Sequence, residues 1–323
     1  MKVIYGLGNK AAQYIYNKPC VALGIFDGVH LGHRHVLASL VREAKKTGKE
    51  AVCITFFPHP LKILSSKNIF IHLVSLPHRL KLIQELGVDV CIVINFNRDF
   101  ARIRPEEFIK ILADVVKPYA IFVGSNFTFG RAASGDIKLL KKLAKKFNFK
   151  VRDISPLKLD GKIISSTLIR GLIKEGNLIL AKKYLGRNIS ILGRVIKGKS
   201  VGRRLGYHTA NIDTEGEVIP PAGVYAVKVK LVNPDLYSER FAYNKKYYGI
   251  AYIGTSPTMK FHYRLNRLEV YIFNFKANIY NKLLEAEFIA KIREEVKFSS
   301  LELLAAQIKK DVNKAKHILT SLF

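Results

Sequence analysis

The sequence predicts an α/β domain with a parallel sheet, followed by a small antiparallel β-barrel with a terminal α-helix. Apolar runs alternate with amphipathic segments through the first half of the 323 residues, whereas strand-like runs follow one another in the second half. The length suits two domains of about 100–200 residues each. We expect residues 1–184 to form the first domain and residues 185–323 the second.

The first half contains continuous apolar runs, which are typical of parallel strands buried on both faces. We predict strands at Val21–Gly24, Ala51–Phe56, Val90–Ile94, Tyr119–Gly124 and Val151–Ile154. Helices are expected between them at Gly32–Lys46, Pro77–Leu86, Pro105–Val116 and Asp136–Phe147. One more helix is expected from Ser165 to about Leu185.

The second half contains alternating segments without helices between them, which indicates an antiparallel sheet or barrel. The expected strands are Ile189–Lys197, Val224–Leu231, Tyr247–Ile253, Leu268–Phe275 and Glu285–Ile292. A last helix is predicted from about Ser300, with an apolar stripe that should dock on the barrel. That stripe consists of Leu301, Leu304, Ala305, Ile308, Val312 and Ala315.

The charge is strongly basic, because 54 Lys and Arg oppose 25 Asp and Glu, a net charge of +29. Such a charge would suit nucleic acid or an anionic membrane surface. Much of the excess, as at Lys138–Lys146, lies on segments that also carry apolar residues, so we interpret it as solvated helix faces. We therefore favour small-molecule partners over nucleic acid. No apolar run approaches the about 18 residues of a membrane-spanning helix.

The three cysteines, Cys20, Cys53 and Cys91, are widely spaced and form no Cys-x-x-Cys pair. They are interpreted as small core residues. The N-terminal segment has no continuous apolar core of a signal peptide, so we expect a cytoplasmic protein.

The first expected strand runs directly into Ile25–His33, after which a helix begins. A helix start at the carboxyl end of a parallel strand offers free N–H groups to phosphate. His30 and His33 flank Gly32 and are suited to donate hydrogen bonds to phosphate oxygens. This pattern predicts a phosphate-binding site.

The segment Gly24–His33 resembles the signature of the bacterial bifunctional riboflavin kinase/FMN adenylyltransferase family, and Thr55–Pro60, Gly124–Gly130 and Ser165–Arg170 support the resemblance in order. It implies a Rossmann-like nucleotidyltransferase fold, with His30, His33 and Arg170 as catalytic residues. The implied ATP-binding residues are Gly24, Phe26, Asp27, Gly28, His30, Gly32, His33, Asn126, Ser166, Thr167 and Arg170. The implied flavin-binding residues are Phe56, Phe57, Asn126 and Phe129.

Four later segments resemble the riboflavin kinase module of the same family. They are Gly202–Ile212, Gly223–Tyr225, Gly254–Thr258 and Leu268–Tyr271. The resemblance implies ATP binding at Gly202, Gly206, Thr209 and Asn211, with Mg²⁺ held by Thr209 and Asn211. It makes Glu269 the base that activates the riboflavin hydroxyl, and it places flavin at Glu269 and Arg293.

The barrel half departs from the family pattern at four positions. His208 replaces the usual proline, Tyr271 a histidine, Asn274 an aspartate and Asn281 a glycine. Loss of the proline removes a fixed φ beside the expected metal ligand, which makes the kinase site less preorganised.

The predicted function is ATP-dependent phosphorylation of riboflavin to FMN, followed by adenylylation of FMN with a second ATP to give FAD and pyrophosphate. One alternative is an FMN adenylyltransferase whose kinase-like barrel is inactive. A second is an RNA-binding protein on a nucleotide-binding scaffold, which the net charge of +29 motivates. The sequence carries no signal for an oligomeric state.

Overall fold

The computed structural model describes residues 1–8, 13, 18–65, 70–198, 206–232, 246–254 and 267–320. The chain divides into two compact units. The first consists of Met1–His72 and Leu76–Ser166, and the second of Leu73–Ser75 and Thr167–Phe323. The expected domain boundary after residue 184 stays a prediction.

The first unit is built on a six-stranded sheet in which every pair of neighbours is parallel. Its strands are β1 (Lys2–Tyr5), β2 (Cys20–Leu23), β3 (Ala51–Phe57), β4 (Val90–Asn95), β5 (Ala120–Gly124) and β6 (Lys150–Ile154). The order β1-β4-β3-β2-β5-β6 confirms the predicted parallel sheet and its five strands. The edge strand β1 was not predicted, because only one of its four residues is buried.

The helices of the first unit cover the sheet and confirm the four predicted helices. The helices of this unit are α1 (Leu31–Thr47), α2 (Pro60–Leu64), α3 (Leu76–Gln84), α4 (Pro105–Val116) and α5 (Ile137–Phe147). Of these, the short α2 was not predicted. Leu112 of α4 and Leu140 of α5 pack in one core with Ile54 and Ile92 from the sheet. A hairpin of two short strands, β7 (Lys158–Leu159) and β8 (Lys162–Ile163), follows the sheet.

The chain order reverses at β2, since β3 lies on one side of it and β5 on the other. Ligands of open α/β sheets bind outside the carboxyl ends of the strands at such a switch point. The loop after β2 and the first turn of α1 contain predicted phosphate-binding residues, so the fold brings these residues to this position.

The single helix expected from Ser165 to Leu185 is wrong in one respect, because the structure has two. They are α6 (Ser166–Lys174) and α7 (Leu178–Leu185). Gly176 adopts a φ of +81°, and the Asn177 side chain accepts a hydrogen bond from Leu180 N at 3.1 Å. A left-handed glycine ends α6 and an asparagine cap begins α7.

The second unit contains a closed antiparallel barrel with the order β10-β13-β12-β11-β14-β9, which confirms the predicted architecture. Its strands are β9 (Ser190–Ile196), β10 (Thr209–Asp213), β11 (Gly223–Val232), β12 (Lys246–Gly254), β13 (Arg267–Ile272) and β14 (Leu283–Arg293). The sequence did not predict the strand β10. Burial of Ala210, Asn211 and Ile212 shows why this segment is a strand.

The terminal helix α8 (Leu301–Thr320) packs on β11, β12 and β14, as predicted. Ile308, Val312 and Ala315 lie in the core between helix and barrel, but Leu301 is half exposed and does not belong to the docked stripe. The three cysteines are free, fully buried thiols, which confirms their interpretation as core residues. Among the described residues no helix meets the length and apolarity needed to cross a membrane.

Candidate functional site

The loop between β2 and α1 contains three residues in the left-handed region. Phe26 has a φ of +54°, Gly28 of +83° and Val29 of +40°. Glycine adopts this conformation readily, but non-glycine residues in it cost about 1–3 kcal/mol each. A β-branched valine there is a marked outlier. Such a loop persists only because its surroundings hold it.

Gly24 of this loop and Gly32 in the first turn of α1 leave room for aromatic rings. A Cβ on Gly24 would lie 3.0 Å from the ring of Phe26, and one on Gly32 would lie 3.1 Å from Cε1 of His30. Phe26 is buried and its ring meets that of His33 edge-on. These glycines therefore allow the rings around the histidine pair to pack.

His30 caps the N-terminus of α1. Its Nδ1 accepts a hydrogen bond from His33 N at 3.3 Å, so Nδ1 carries no proton and the neutral ring holds its proton on Nε2. The rings of His30 and His33 stack with centroids 3.7 Å apart. The cap thus fixes both the tautomer of His30 and the position of its neighbour.

His33 is held in its neutral form. Burial lowers its pKa well below the usual 6.5, and the neighbouring His30 and Arg79 lower it further. Its Nδ1 is buried and has no hydrogen-bond partner among the described residues. A buried, unpartnered ring nitrogen beside a helix N-terminus can bind a phosphate oxygen once it carries the proton.

Arg79 of α3 lies beneath this loop and was not among the residues predicted from the sequence. Its side chain is fully buried, and Nη1 donates to Ile25 O at 3.0 Å, to Phe56 O at 3.1 Å and to Thr55 Oγ1 at 3.2 Å. The signal was available, because residues 76, 79, 80 and 83 form one helix stripe that is otherwise apolar.

Ser166 also contacts the loop between β2 and α1. Its Oγ donates a hydrogen bond to Asp27 O at 2.9 Å. The Asp27 side chain is buried. Thr167 and Arg170 lie on α6, where Thr167 is exposed and Arg170 partly buried. The phosphate-binding roles of all four residues stay predictions.

The predicted flavin-binding aromatics differ in exposure. Phe56 and Phe129 are buried in the core of the first unit, whereas Phe57 is 38% exposed. Asn126 is also exposed. Phe57 is therefore the phenylalanine of this set that offers a ring face to a ligand.

The barrel brings three predicted kinase residues together. In the β10–β13 register, Asn211 lies opposite Glu269 and Thr209 lies opposite Tyr271, so the four share one face. Thr209 Oγ1 donates to Glu269 Oε2 at 2.9 Å. A hydroxyl that donates its hydrogen bond to a carboxylate keeps its lone pairs for another partner.

These side chains fit a hard cation. Thr209 and Asn211 supply hydroxyl and amide oxygens, which suit Mg²⁺. Gly198 makes the packing of Asn211 possible, since a Cβ there would collide with its amide. Among the described residues, no cluster of His, Cys, Asp and Glu offers another metal site. Gly206 has a φ of +81°, while Gly202 lies outside the described residues.

Two family models match the chain. The model of FAD synthetase matches residues 13–168, and the model of riboflavin kinase matches residues 185–319. The bifunctional riboflavin kinase/FMN adenylyltransferase of Buchnera aphidicola subsp. Schizaphis graminum is 40% identical, over 98% of each chain. The chain belongs to the bifunctional riboflavin kinase/FMN adenylyltransferase family.

Two other proteins are similar along nearly their whole length. The bifunctional riboflavin kinase/FMN adenylyltransferase of Haemophilus influenzae is 36% identical, over 99% of this chain and 100% of that one. The crystal structure of a macrolide-efflux protein from Streptococcus pneumoniae has a TM-score of 0.77 and 28% identity, over 96% of this chain and 97% of that one.

Departures from the usual pattern of this bifunctional family leave the barrel closed. Asn281, where the family has glycine, has a φ of +63°, and Asn274 one of +53°. Asparagine tolerates this region better than other non-glycine residues. The ring of Tyr271 packs edge-on against Tyr207, 5.2 Å between centroids, and His208 is exposed.

Arg293 has another role in the structure than the flavin contact expected from the family. Its Nε and Nη2 donate to the buried carboxylate of Asp311, with distances of 2.9–3.0 Å, and its Nη1 donates to Glu294 O. The guanidinium also lies 5.7 Å from the ring centroid of Phe298. Arg293 joins the end of β14 to α8, and its flavin contact stays a prediction.

Proposed function

We propose that this chain converts riboflavin to FMN in the barrel and FMN to FAD at the carboxyl end of β2, using one ATP in each step. The observation that supports the proposal is that two of the predicted residues of each site lie in direct contact. The barrel places Thr209 against Glu269, and the first unit stacks His30 on His33. The three buried thiols suit a reducing cytoplasm, where we place this activity.

In the kinase step, Glu269 accepts the proton of the ribityl 5′-hydroxyl. The oxygen attacks the γ-phosphorus of ATP, the bond to the bridging oxygen breaks, and ADP leaves with FMN as product. Thr209 and Asn211 would hold Mg²⁺, which when bound neutralises phosphate charge. Positioning and charge stabilisation account for most of the catalysis in such a transfer.

In the adenylyl transfer, a phosphate oxygen of FMN attacks the α-phosphorus of the second ATP, and pyrophosphate leaves. The Nε2–H of His30 and a ring N–H of His33 donate to phosphate oxygens on which charge develops. The predicted role of Arg170 is to bind phosphate in the same reaction. Phe57 offers the exposed ring face for the flavin.

The test uses purified chain with riboflavin, ATP and Mg²⁺ and a parallel reaction started from FMN, both followed by chromatography. FAD is expected from both. The double variant H30A/H33A should form FMN at the rate of the unaltered chain but no FAD. Unchanged FAD formation by this variant would show that the phosphate site is assigned wrongly.

The reciprocal variant is E269Q, which keeps the shape of the side chain but cannot accept the proton. FMN formation should fall about 100-fold or more, as expected when a general base is lost, while FAD formation from FMN should not change. If the unaltered chain makes FAD from FMN only, the alternative of an inactive kinase-like barrel is correct.

A further inference from the structure

Arg79 lies at the carboxyl ends of β2 and β3, outside the set of residues that the resemblance assigns. Its guanidinium reaches across from α3 and binds both strand ends, through Ile25 O after β2 and Phe56 O in β3. Thr55 belongs to the same network, since its Oγ1 accepts from Arg79 and donates to Ile25 O at 2.8 Å. Arg79 therefore connects the start of the loop between β2 and α1 to strand β3.

The position is costly for an arginine. The side chain has no exposed surface, and Nε and Nη2 have no hydrogen-bond partner among the described residues. Burial lowers the pKa of Arg79, while the charge of Asp27 opposes that shift. Burying a cation with unsatisfied donors costs free energy of folding. Stability alone therefore does not explain an arginine here, which points to function at this position.

The loop that Arg79 binds is the one in unfavourable backbone conformations. Phe26 follows Ile25 directly and Val29 lies three residues further on; both adopt positive φ values, and His30 and His33 come next. The start of this loop is fixed by Arg79, and its middle by Ser166 through Asp27 O.

We propose that Arg79 is a positioning residue for adenylyl transfer, which holds the loop Ile25–Val29 so that the stacked pair His30 and His33 faces the phosphates. The proposal rests on the function proposed above for this pair. Arg79 has no exposed surface with which to reach a substrate, so it acts through the loop.

The test is a double-mutant cycle on FAD formation from FMN and ATP, with the variants R79M, H33A and R79M/H33A. We expect R79M to lower kcat per folded enzyme by about 100-fold, the loss typical of a displaced catalytic group. We expect KM for ATP to change much less than kcat. In the R79M background, H33A should then lower kcat by less than about threefold, because the histidine is already misplaced.

Two controls separate positioning from a purely structural role. K81M removes another buried cation from α3, one that pairs with Glu85 at 3.1 Å, and should leave kcat unchanged. FMN formation by the same samples should also be unchanged. If R79M fails to fold, the same cycle is run with R79K, which should retain part of kcat.

The outcomes are distinguishable. If H33A alone has no effect, the proposed phosphate site is wrong. If H33A is harmful but R79M leaves kcat per folded enzyme unchanged, or the two losses multiply, the proposal for Arg79 is overturned. A loss of kcat with K81M equal to that of R79M would also overturn it.

Discussion

Two buried charged residues interrupt otherwise apolar helix stripes, one below the loop between β2 and α1 and one at the barrel. Arg79 occupies such a position on α3, and Asp311 occupies one on α8, where residues 304, 308, 315 and 319 are apolar. Both side chains are buried and each binds atoms of a neighbouring strand or its end. A charge in the apolar stripe of a predicted helix is therefore a signal that sequence analysis can use.

The neutral state of His33 gives a prediction for pH dependence. The unfolded chain binds a proton at His33 near pH 6.5, whereas the lowered pKa keeps the folded residue neutral. Below pH 6.5 the unfolded state therefore binds more protons than the folded state, so His33 lowers the free energy of unfolding as the pH falls. Above pH 6.5 His33 does not contribute to the pH dependence of stability. Urea unfolding of the chain and of H33Q between pH 7.5 and pH 5 should show less acid destabilisation in H33Q. Equal acid sensitivity would contradict the prediction.

Secondary-structure elements were predicted best where the burial pattern was simple. The buried strands of the first unit are continuous apolar runs, and the helix α5 has lysines on its exposed side and leucines on its buried side. The edge strand β1 and the polar strand β10 were missed. Both depend on neighbours far along the chain, since β1 pairs with β4, and β10 with β9 and β13.

The contact between α8 and the end of β14 gives a prediction at the same scale. In R293M the carboxylate of Asp311 stays buried without its cation, which should destabilise the barrel by about 3 kcal/mol. D311N should cost less, because Arg293 is partly exposed. The measurement is thermal inactivation of FMN formation, which should occur at a lower temperature in R293M. The matched control R293M/D311L, without either charge, should recover much of the loss; failure to do so would mean that the ion pair is not the cause.

At the scale of the whole molecule, the net charge of +29 is spread over exposed side chains such as Lys141, Lys142 and Lys145 of α5. Binding to RNA should therefore be the weak, salt-dependent kind, with a Kd above about 1 µM near 150 mM salt. Fluorescence anisotropy with a labelled single-stranded RNA across a salt series checks this. Submicromolar binding at that salt concentration would revive the RNA-binding alternative.

The sequence by itself determined the two architectures, most of their elements and the two motif sets, because these depend on local periodicity and residue type. Only the tertiary structure decided that Phe56 is core while Phe57 is exposed, and that Arg293 binds Asp311. It also revealed Arg79 beneath the phosphate loop. These facts depend on contacts between residues distant in the chain, and local sequence patterns do not encode which distant groups will meet.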